Sequence, residues 1–517
     1  LLTLPIGTLV PLLCDELPPN SPVDLEIGLE ACLPPLASKT FMNVDVRLEA
    51  FFCPTRLLYG GYQAWYTGEQ LYNANASQYV SVGLPILGVN GNSVNGFMKP
   101  GSLADYLGYK FTTSQASGLA GNTTVSNFNI FPFLAYHFIY DQWYRNTQVQ
   151  NPAFTKPVYS GSAVSNLISE LPYTFIASNA QVFALNATMA DGVALHQLRQ
   201  RNFSIDYFTN ATPRAQLGNP QGISINTSGA STTLSISSIR TANSMQQWLE
   251  RNNYAGFRFQ DQLRAVYNAN LSDGVAYRPL YLGSGVVPIY SKGVYQNAQN
   301  LSGGGSIMGN NPFASVGTEY GSAFTDSPVI PLIKNFTTQE PGYVMVMVSV
   351  VPRVTYSSGI LRQNLRYTTV SSQTDLANPI LQNTGNQPIN VEELVPTASW
   401  SGLQSVFGYV DRYADYMVRE DELHGLVRDG ESLAAFALQR SFVSATLSSS
   451  FLQIPTTYLD QVAAALSGIS GYGAWIDSYL HYRVSMPLAP YSIPSLQDPA
   501  YEHGQDVTLR RGGSRID

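Results

Sequence analysis

The sequence contains few residues that could carry out catalysis or bind a metal ion. Its five histidines are scattered, and no two share one predicted element at a ligand spacing: His137, His196, His424, His481 and His503. We interpret His137, which lies in an aromatic helical segment, as a core histidine whose ring nitrogen is hydrogen-bonded. The sequence has no G-x-S-x-G elbow, P-loop, H-E-x-x-H or G-x-G-x-x-G motif. We therefore predict no catalytic residue, no metal site and no cofactor.

Carboxylates are concentrated in one segment, at Asp411 and Asp415 and again over residues 420–422. Two carboxylates at the right separation could act as the acid and the nucleophile of a glycosidase. Arg412 and Arg419 fit i, i+4 ion pairs with the same aspartates, on a helix or in a mixed-charge loop. We favour a solvated or interface-facing charged segment, and the glycosidase pair remains the alternative.

Basic residues are concentrated at the C-terminal end of the sequence. Arg510, Arg511 and Arg515 stand beside glycines in TLRRGGSRID. A basic end of this kind could lie along nucleic-acid phosphates, or it could simply be a solvated tail. The net charge of −7 argues against coating of nucleic acid by bulk charge.

The sequence pattern predicts mainly strands as the elements that position these residues. Residues 44–52 alternate apolar and polar side chains, which predicts a half-buried strand. Tyr343–Val351 is apolar throughout, which predicts a central strand covered on both faces. Alternation returns from Leu480 to Met486. Helical patterns cover Arg56–Gly68, a buried segment over Phe133–Arg145, and the stretch around Met245–Leu249, with a further piece from Phe259 to Tyr267 beyond Gly256. Three stretches rich in Gly, Asn and Ser predict long loops: 73–95, 218–238 and 297–326.

Composition sets further limits on the class of protein. Charged residues make up 12% of the 517 residues, against about 25% in an ordinary globular protein. The apolar stretches are shorter than the ~20 residues of a membrane helix, so we predict no membrane insertion. The N-terminal segment lacks a basic n-region, so we do not read it as a signal peptide. Cys14, Cys32 and Cys53 form no C-x-x-C pair, which favours a reducing compartment.

Colinear motifs make the sequence resemble the major capsid proteins of the Microviridae, nearest to the gokushovirus-like branch. The anchors, in chain order, are VDVRLEAFFCPTRLLYGGYQAW from Val44, SLADYLG from Ser102, AYHFIYDQWYRN from Ala135, DYFTNATPRAQ from Asp206, WLERNNYAGFRFQDQLRAVYN from Trp248, YRPLYLGSG from Tyr277, QEPGYVMVMVSVVPRVTYSSGI from Gln339, VFGYVDRYADYMVREDELHG from Val406 and HYRVSMPL from His481. They span about residues 40 to 490. The order of the anchors, more than any one of them, makes the resemblance specific.

The resemblance implies an all-β core, an eight-stranded viral jelly roll with long loop insertions and a few short α-helices. It implies one capsid domain over residues 1–517. The strands are then expected mainly from 40–56, 335–357, 400–455 and 475–490, with helical and loop insertions at 57–334 and 358–400. A charge-poor, Tyr-rich surface suits burial between subunits. We predict a subunit interface that includes Trp143, Tyr144, Arg145, Arg278, Tyr281 and Arg412, with the inner core of one subunit as the alternative role for these residues.

The resemblance also implies a virion protein, assembled in the host bacterial cytoplasm. Its function would be self-assembly into a T=1 icosahedral shell of about sixty copies around a circular ssDNA phage genome. Implied partners are that genome on the inner face, a small basic DNA-binding protein, an internal scaffolding protein, a pilot protein and a host-cell surface receptor. Arg510, Arg511 and Arg515 are the candidate DNA contacts.

The sequence departs from the family pattern at two places. Gln339, Glu340, Pro341 and Gly342 stand where the family often has a Glu-His-Gly step. Only about Asn219 to Arg240 is available for the insertion that builds the family's threefold protrusion. We therefore predict a low or absent protrusion, or one built from another loop. The competing class is a secreted carbohydrate-binding β-sandwich or glycosidase, which would show saccharide affinity and a monomeric state. A tail or fibre protein would show sequence repeats, which the sequence lacks.

Overall fold

The computed structural model describes the chain in fifteen stretches. They are residues 1–36, 40–41, 43–73, 77–89, 97–109, 125–156, 168–177, 181–216, 236–255, 277–296, 319–324, 329–365, 386–395, 405–463 and 473–486. Strands dominate these residues, and they are β1 (Leu2–Pro5), β2 (Val10–Leu17), β3 (Pro22–Cys32), β4 (Val44–Pro54), β5 (Gln70–Asn73), β6 (Gln78–Gly83), β7 (Ile86–Val89), β8 (Val125–Asn129), β9 (Ile176–Ala177), β10 (Val182–Ala184), β11 (Leu280–Gln296), β12 (Glu319–Phe324), β13 (Val329–Thr337), β14 (Gly342–Pro352), β15 (Thr355–Tyr356), β16 (Asn386–Asn390), β17 (Val406–Asp411), β18 (Asp421–Glu422) and β19 (Gly473–Val484).

Helices in the described residues are mostly one turn long. They are α1 (Thr55–Leu58), α2 (Tyr62–Thr67), α3 (Leu103–Tyr106), α4 (Phe131–Ile139), α5 (Ile236–Ala255), α6 (Arg362–Leu365), α7 (Ala414–Met417) and α8 (Ser449–Leu452). A π-helical turn, Tyr140–Tyr144, continues α4, and 3-10 turns occur at Ile168–Glu170, Val391–Glu393, Gly425–Val427, Ala434–Phe436 and Tyr458–Gln461. Among the described residues no helix combines the length and the apolarity needed to cross a membrane.

The largest sheet consists of two antiparallel layers joined through β11. One layer has the strand order β2-β14-β4-β11, and the other contains β1, β19 and β3, with β12 and β13 also paired to β3. The first part of β11, up to Ile289, pairs with β4, and its second part, from Tyr290, pairs with β12. A single strand therefore passes from one layer into the other.

The two layers share one apolar core. Alternate residues of β3, β4 and β14 belong to the same buried cluster, among them Ile27, Leu29, Leu48, Val346 and Val348, all with no exposed surface. This period of two is what strands with one face toward a core require. The protein is thus mainly β, with a few helices, most of them short.

A second core lies on the other face of the β2-β14-β4-β11 layer. Met345 and Met347 of β14 and Phe51 of β4 pack there with Phe133 and Tyr136 of α4. Strand β14 is buried at all of its positions, so the prediction of a central strand covered on both faces is confirmed. The prediction of a buried helical segment near 133–145 is confirmed too, since α4 is buried along nearly its whole length.

Several expectations about the elements need correction. Residues 44–52 form a strand as predicted, but it is more than half-buried, because α4 and its neighbours cover the face that the polar residues occupy. Strands also come from 2–32 and 280–334, and the second of these ranges was assigned to an insertion. Among its described residues, range 400–455 contributes only β17 and β18, which pair outside the largest sheet. The sequence pattern did not predict strand β11, because its glycines and Pro288 interrupt the alternation of apolar and polar residues.

The long loops also contain regular structure. Strands β6 and β7 lie within 73–95, β12 lies within 297–326, and α5 begins inside 218–238. These short strands form because they pair with other parts of the chain, and amino-acid composition alone does not reveal such pairing. Several sequence-based expectations concern residues outside the described ones. These are the predicted helix from Phe259 to Tyr267, the candidate DNA contacts Arg510, Arg511 and Arg515, and most of the 219–240 segment, for which we expect a low or absent protrusion.

Candidate functional site

The candidate interface residue Tyr144 contacts a largely buried ion pair on the face of β4 that α4 covers. Glu49 projects from this strand and receives two hydrogen bonds from the Arg201 guanidinium, one of them 2.9 Å from Nη2 to Oε1. The Tyr144 hydroxyl donates to the same carboxylate. Arg201 also donates to the hydroxyl of Ser349 on β14, so the pair ties two strands to the segment that follows α4.

The electrostatics of this cluster keep Glu49 ionised. Burial alone would raise its pKa, but the hydrogen bonds and the charge of Arg201 outweigh burial, and the pKa of Glu49 lies below its ordinary value. Burial and the neighbouring Glu49 carboxylate hold the pKa of Tyr144 well above its usual range, so the phenol stays a donor. Charge-assisted hydrogen bonds of this kind are stronger than neutral ones.

Beside the ion pair lies an aromatic corner, formed by Phe51, Trp143 and Tyr281 with Arg278 above them. Ring centroids are 5.7 Å apart for Phe51 and Trp143 and 5.5 Å apart for Trp143 and Tyr281. The guanidinium carbon of Arg278 lies 4.5 Å from the Trp143 ring centroid, and the indole N–H donates to the carbonyl of Pro279 at 3.0 Å. Tyr281 is 44% exposed, so this corner reaches the surface of the subunit.

Arg145 points inward instead. Its Nε donates to Asp141 Oδ1 at 2.8 Å, and its Nη1 donates to the carbonyl of Gln150 at 3.1 Å. The side chains of Arg145 and Asp141 are only 10% and 4% exposed. Within one subunit Arg145 therefore anchors the turn after α4, which is the alternative role that the sequence left open.

Arg412 lies apart from the other candidates. It follows β17, and its guanidinium carbon lies 4.8 Å from the ring centroid of Tyr413. The structure thus brings together Trp143, Tyr144, Arg278 and Tyr281, places Arg145 directly behind them, and leaves Arg412 elsewhere.

His137 is confirmed as a core histidine. It has no exposed surface, its Nε2 is 2.9 Å from the carbonyl of Leu195, and its Nδ1 accepts from Arg199 Nε at 2.8 Å. Burial, with the charge of Arg199, holds the pKa of His137 well below its usual value, so the ring is neutral. Among the described residues no three side chains of His, Cys, Asp or Glu are grouped to hold a metal ion.

Glu420 lines a cavity of about 470 Å³ beside α6 and α7. It lies close to Asp206, and sequence reasoning did not connect these two residues. Glu420 Oε1 accepts from the backbone N–H of Tyr207, and Asp206 Oδ2 accepts from the Tyr356 hydroxyl at 2.8 Å. Burial, with repulsion from Asp206, raises the pKa of Glu420 to about 7. Asp206 and Glu420 are 214 positions apart, so only the fold could reveal their proximity.

The Glu420 carboxyl should make the free energy of unfolding depend on pH near neutrality. The folded protein keeps a proton on Glu420 that the unfolded chain releases above about pH 4.3, so stability falls as pH rises from there to about 7. We expect Glu420→Gln, which mimics the protonated group, to stabilise the protein at pH 8 by on the order of 1 kcal/mol after allowing for solvent screening, and to change little at pH 5. Urea unfolding at both pH values measures the difference. An equal effect at both would contradict the raised pKa.

The sequence matches the family described as capsid protein (F protein), over residues 1–230 and 161–496. Two phage proteins are similar to it. "Capsid protein VP1" of Chlamydia phage 1 is 24% identical over an alignment of 608 positions, gaps included, which covers 96% of this chain and 94% of that protein. "Capsid protein VP1" of Bdellovibrio phage phiMH2K is 24% identical over an alignment of 538 positions, gaps included, which covers 95% of this chain and 93% of that protein. The similarity therefore extends along nearly the whole chain.

Proposed function

Because the chain belongs to the phage capsid protein (F protein) family, we propose that about sixty copies close into a T=1 icosahedral shell around a circular single-stranded DNA genome. The chain is a major capsid protein of the virion, a structural protein and not an enzyme. The observation that carries the proposal is the match to this family along almost the entire sequence. It goes together with a subunit built mainly from antiparallel sheet.

We assign the two layers to an eight-stranded jelly roll. One sheet would be β2, β14, β4 and β11, and the other β1, β19, β3 and β13. Antiparallel pairing in both layers and their common core support this assignment. Pairing of Leu2 with Ile476 links the first described strand to the last, which supports one capsid domain over residues 1–517.

The aromatic corner is the proposed interface between subunits. The outward face of β11 continues from Tyr281 with Val286 and Tyr290, which are 55% and 51% exposed. Exposed aromatic and Arg side chains of this kind are enriched in protein interfaces. In this proposal Arg278 and Tyr281 touch the neighbouring subunit, whereas Trp143, Tyr144 and Arg145 hold the corner in place. Arg412, apart from the corner, would belong to another contact.

Other virion components complete the proposal. A net charge of −7 cannot neutralise a genome, so a small basic DNA-binding protein would share the interior with the DNA. Arg510, Arg511 and Arg515 remain the proposed contacts to the genome. An internal scaffolding protein, a pilot protein and a host receptor are the other proposed partners.

Sedimentation and negative-stain imaging of the purified protein test the shell. We expect uniform particles roughly 25 to 30 nm across, as closing sixty domains of this mass requires. Strong absorbance at 260 nm would add that the particles contain DNA. A monodisperse monomer at high concentration, even with scaffolding protein supplied, would contradict the proposal.

Substitutions at Tyr281 localise the interface within the same experiment. Tyr281→Ala should raise the concentration needed for assembly by about thirtyfold, as for loss of a contact worth about 2 kcal/mol. Tyr281→Phe keeps the ring and is the matched control, so it should assemble like the wild type. Equal assembly of both variants would remove Tyr281 from the interface.

A further inference from the structure

A second cavity, an open groove of about 630 Å³, has a different chemistry from the acidic one. Its lining is aromatic and proline-rich. Trp65 and Tyr66 of α2, Pro18 and Pro19 of the β2–β3 turn, and Tyr343 all line it. Exposed aromatic rings beside prolines form the type of groove that binds an extended polyproline segment.

The wall formed by the β2–β3 turn is held rigidly. The hydroxyls of Ser21 and Thr338 donate to the carbonyl of Pro18 at 3.0 and 2.7 Å, and Asn20 adopts a φ of 59° that closes the turn. A groove with a fixed wall loses little entropy when a ligand enters it.

Two hydrogen-bond donors that line the groove, the Trp65 indole and the Tyr66 hydroxyl, define what the groove can bind. Trp65 and Tyr66 are 43% and 65% exposed, and their ring contacts are with Tyr62. An indole N–H donates only, and a phenol readily donates. Glu16 also lines the groove, and its carboxylate disfavours phosphate. The fitting ligand is therefore an uncharged extended segment with free carbonyl groups, and this favours a proline-rich peptide over a nucleic acid.

A proline-rich segment follows the last described residues in the sequence, and those residues lie close to the groove. After β19 the backbone N–H of Ser485 donates to the carbonyl of Pro22 at 3.2 Å. Pro22 is three residues from Pro19, a span of at most about 11 Å. The sequence then continues as PLAPYSIPSLQDP, in which Pro487 and Pro490 form a P-x-x-P pair. In polyproline geometry the thirteen residues to Pro499 would reach about 40 Å, enough to extend along the groove.

We propose that the aromatic groove binds the P-x-x-P segment of the same chain, which begins at Pro487. The segment would lie across the Trp65 and Tyr66 rings and give its carbonyls to their N–H and O–H donors. The C-terminal part of the chain would thereby be fixed to the α2 side of the subunit. This proposal does not depend on shell formation.

Photo-cross-linking in the full-length protein tests the proposal. The photoreactive residue p-benzoylphenylalanine replaces Tyr66, and cross-linked peptides are mapped by mass spectrometry. A 1:1 mixture of isotopically light and heavy protein separates contacts within one chain from contacts between chains. We expect cross-links from position 66 to residues 487–490, in light–light and heavy–heavy pairs only. The same probe at Tyr416, which is 49% exposed beside the other cavity, should give none to this segment.

Proline variants complete the test. Replacing both Pro487 and Pro490 with Ala should lower the docked-to-free ratio roughly four- to thirtyfold, because each proline limits the freedom of the undocked segment. Pro499→Ala, outside the pair, should leave the cross-link yield unchanged. Mixed light–heavy pairs would overturn docking within one chain and show exchange between copies. Absence of cross-links to 487–490, or cross-links to another molecule only, would overturn the proposal altogether.

Discussion

Replacing Arg145 with Ala is expected to destabilise the folded subunit by about 3–5 kcal/mol, the cost of removing one partner of a buried ion pair. Asp141 would keep its hydrogen bonds from the backbone N–H of Ala153 and from Gln142 Nε2, but it would lose the guanidinium that pairs with its charge. Urea unfolding of the unassembled subunit measures the loss. Failure of Arg145→Ala to form shells would then follow from an unstable subunit.

Arg353 offers a matched control for Arg145. Its side chain is 63% exposed and its Nε lies 3.6 Å from the buried Asp45, so water solvates the guanidinium and the contact is longer than a normal hydrogen bond. Arg353→Ala should therefore cost less than Arg145→Ala. If Arg145→Ala instead unfolds like the wild type and only assembly is lost, Arg145 acts at the subunit interface and not in the core.

The pair of Glu49 and Arg201 is expected to give the second large effect. Arg201→Met leaves a buried carboxylate without its cation, and Glu49→Gln leaves a buried guanidinium without its anion. Each variant should lose about 3–5 kcal/mol of stability. The double variant should lose less than the sum by about 1–3 kcal/mol, because its second substitution removes the charge that the first one stranded. Additive losses would show that the two side chains do not depend on each other.

The pH dependence of the same variants has a definite sign. The pKa of Glu49 is lowered in the folded protein, so its contribution is present above the unfolded value near 4.3 and is lost as pH falls through the folded value. In Arg201→Met the burial of Glu49 is no longer outweighed by its main cation. We therefore expect the stability deficit of this variant to narrow as pH falls toward 4. A deficit that is constant with pH would contradict this account of the pair.

The sequence revealed the parts of the fold whose signals are local. Strand β14 is an unbroken apolar run, and the segment around His137 is apolar on most faces, so both could be predicted as buried. Strand β3 alternates apolar and polar residues regularly from Val23 to Ala31, and this pattern also indicates a half-exposed strand. The sequence analysis nevertheless predicted no strand in this segment. Strand β11 could not be read in this way, because it changes partners midway and contains bulges and glycines.

The candidate site depended on long-range contacts and was only partly predictable. Aromatic and Arg content pointed to Trp143, Tyr144, Arg278 and Tyr281, which do lie together. Glu49 was not singled out, because a glutamate in an alternating strand has the same pattern as a solvent-facing one. Its partner Arg201 is 152 positions away, and only the packing of α4 over β4 buries the two charges together.

The pairing of the first strands with the last ones also governs when the protein can fold. Strand β1 pairs with β19, β2 pairs with β14, and β3 lies between β19 and β13, so none of the three has a strand partner nearby in sequence. At about 5–20 residues per second, a ribosome needs roughly 20–90 s to travel from the end of β3 to the start of β19. During that time apolar strand edges are unpaired, and such edges promote aggregation. We therefore expect newly made chains to need protection by a chaperone or another binding partner until synthesis of β19 completes the sheet.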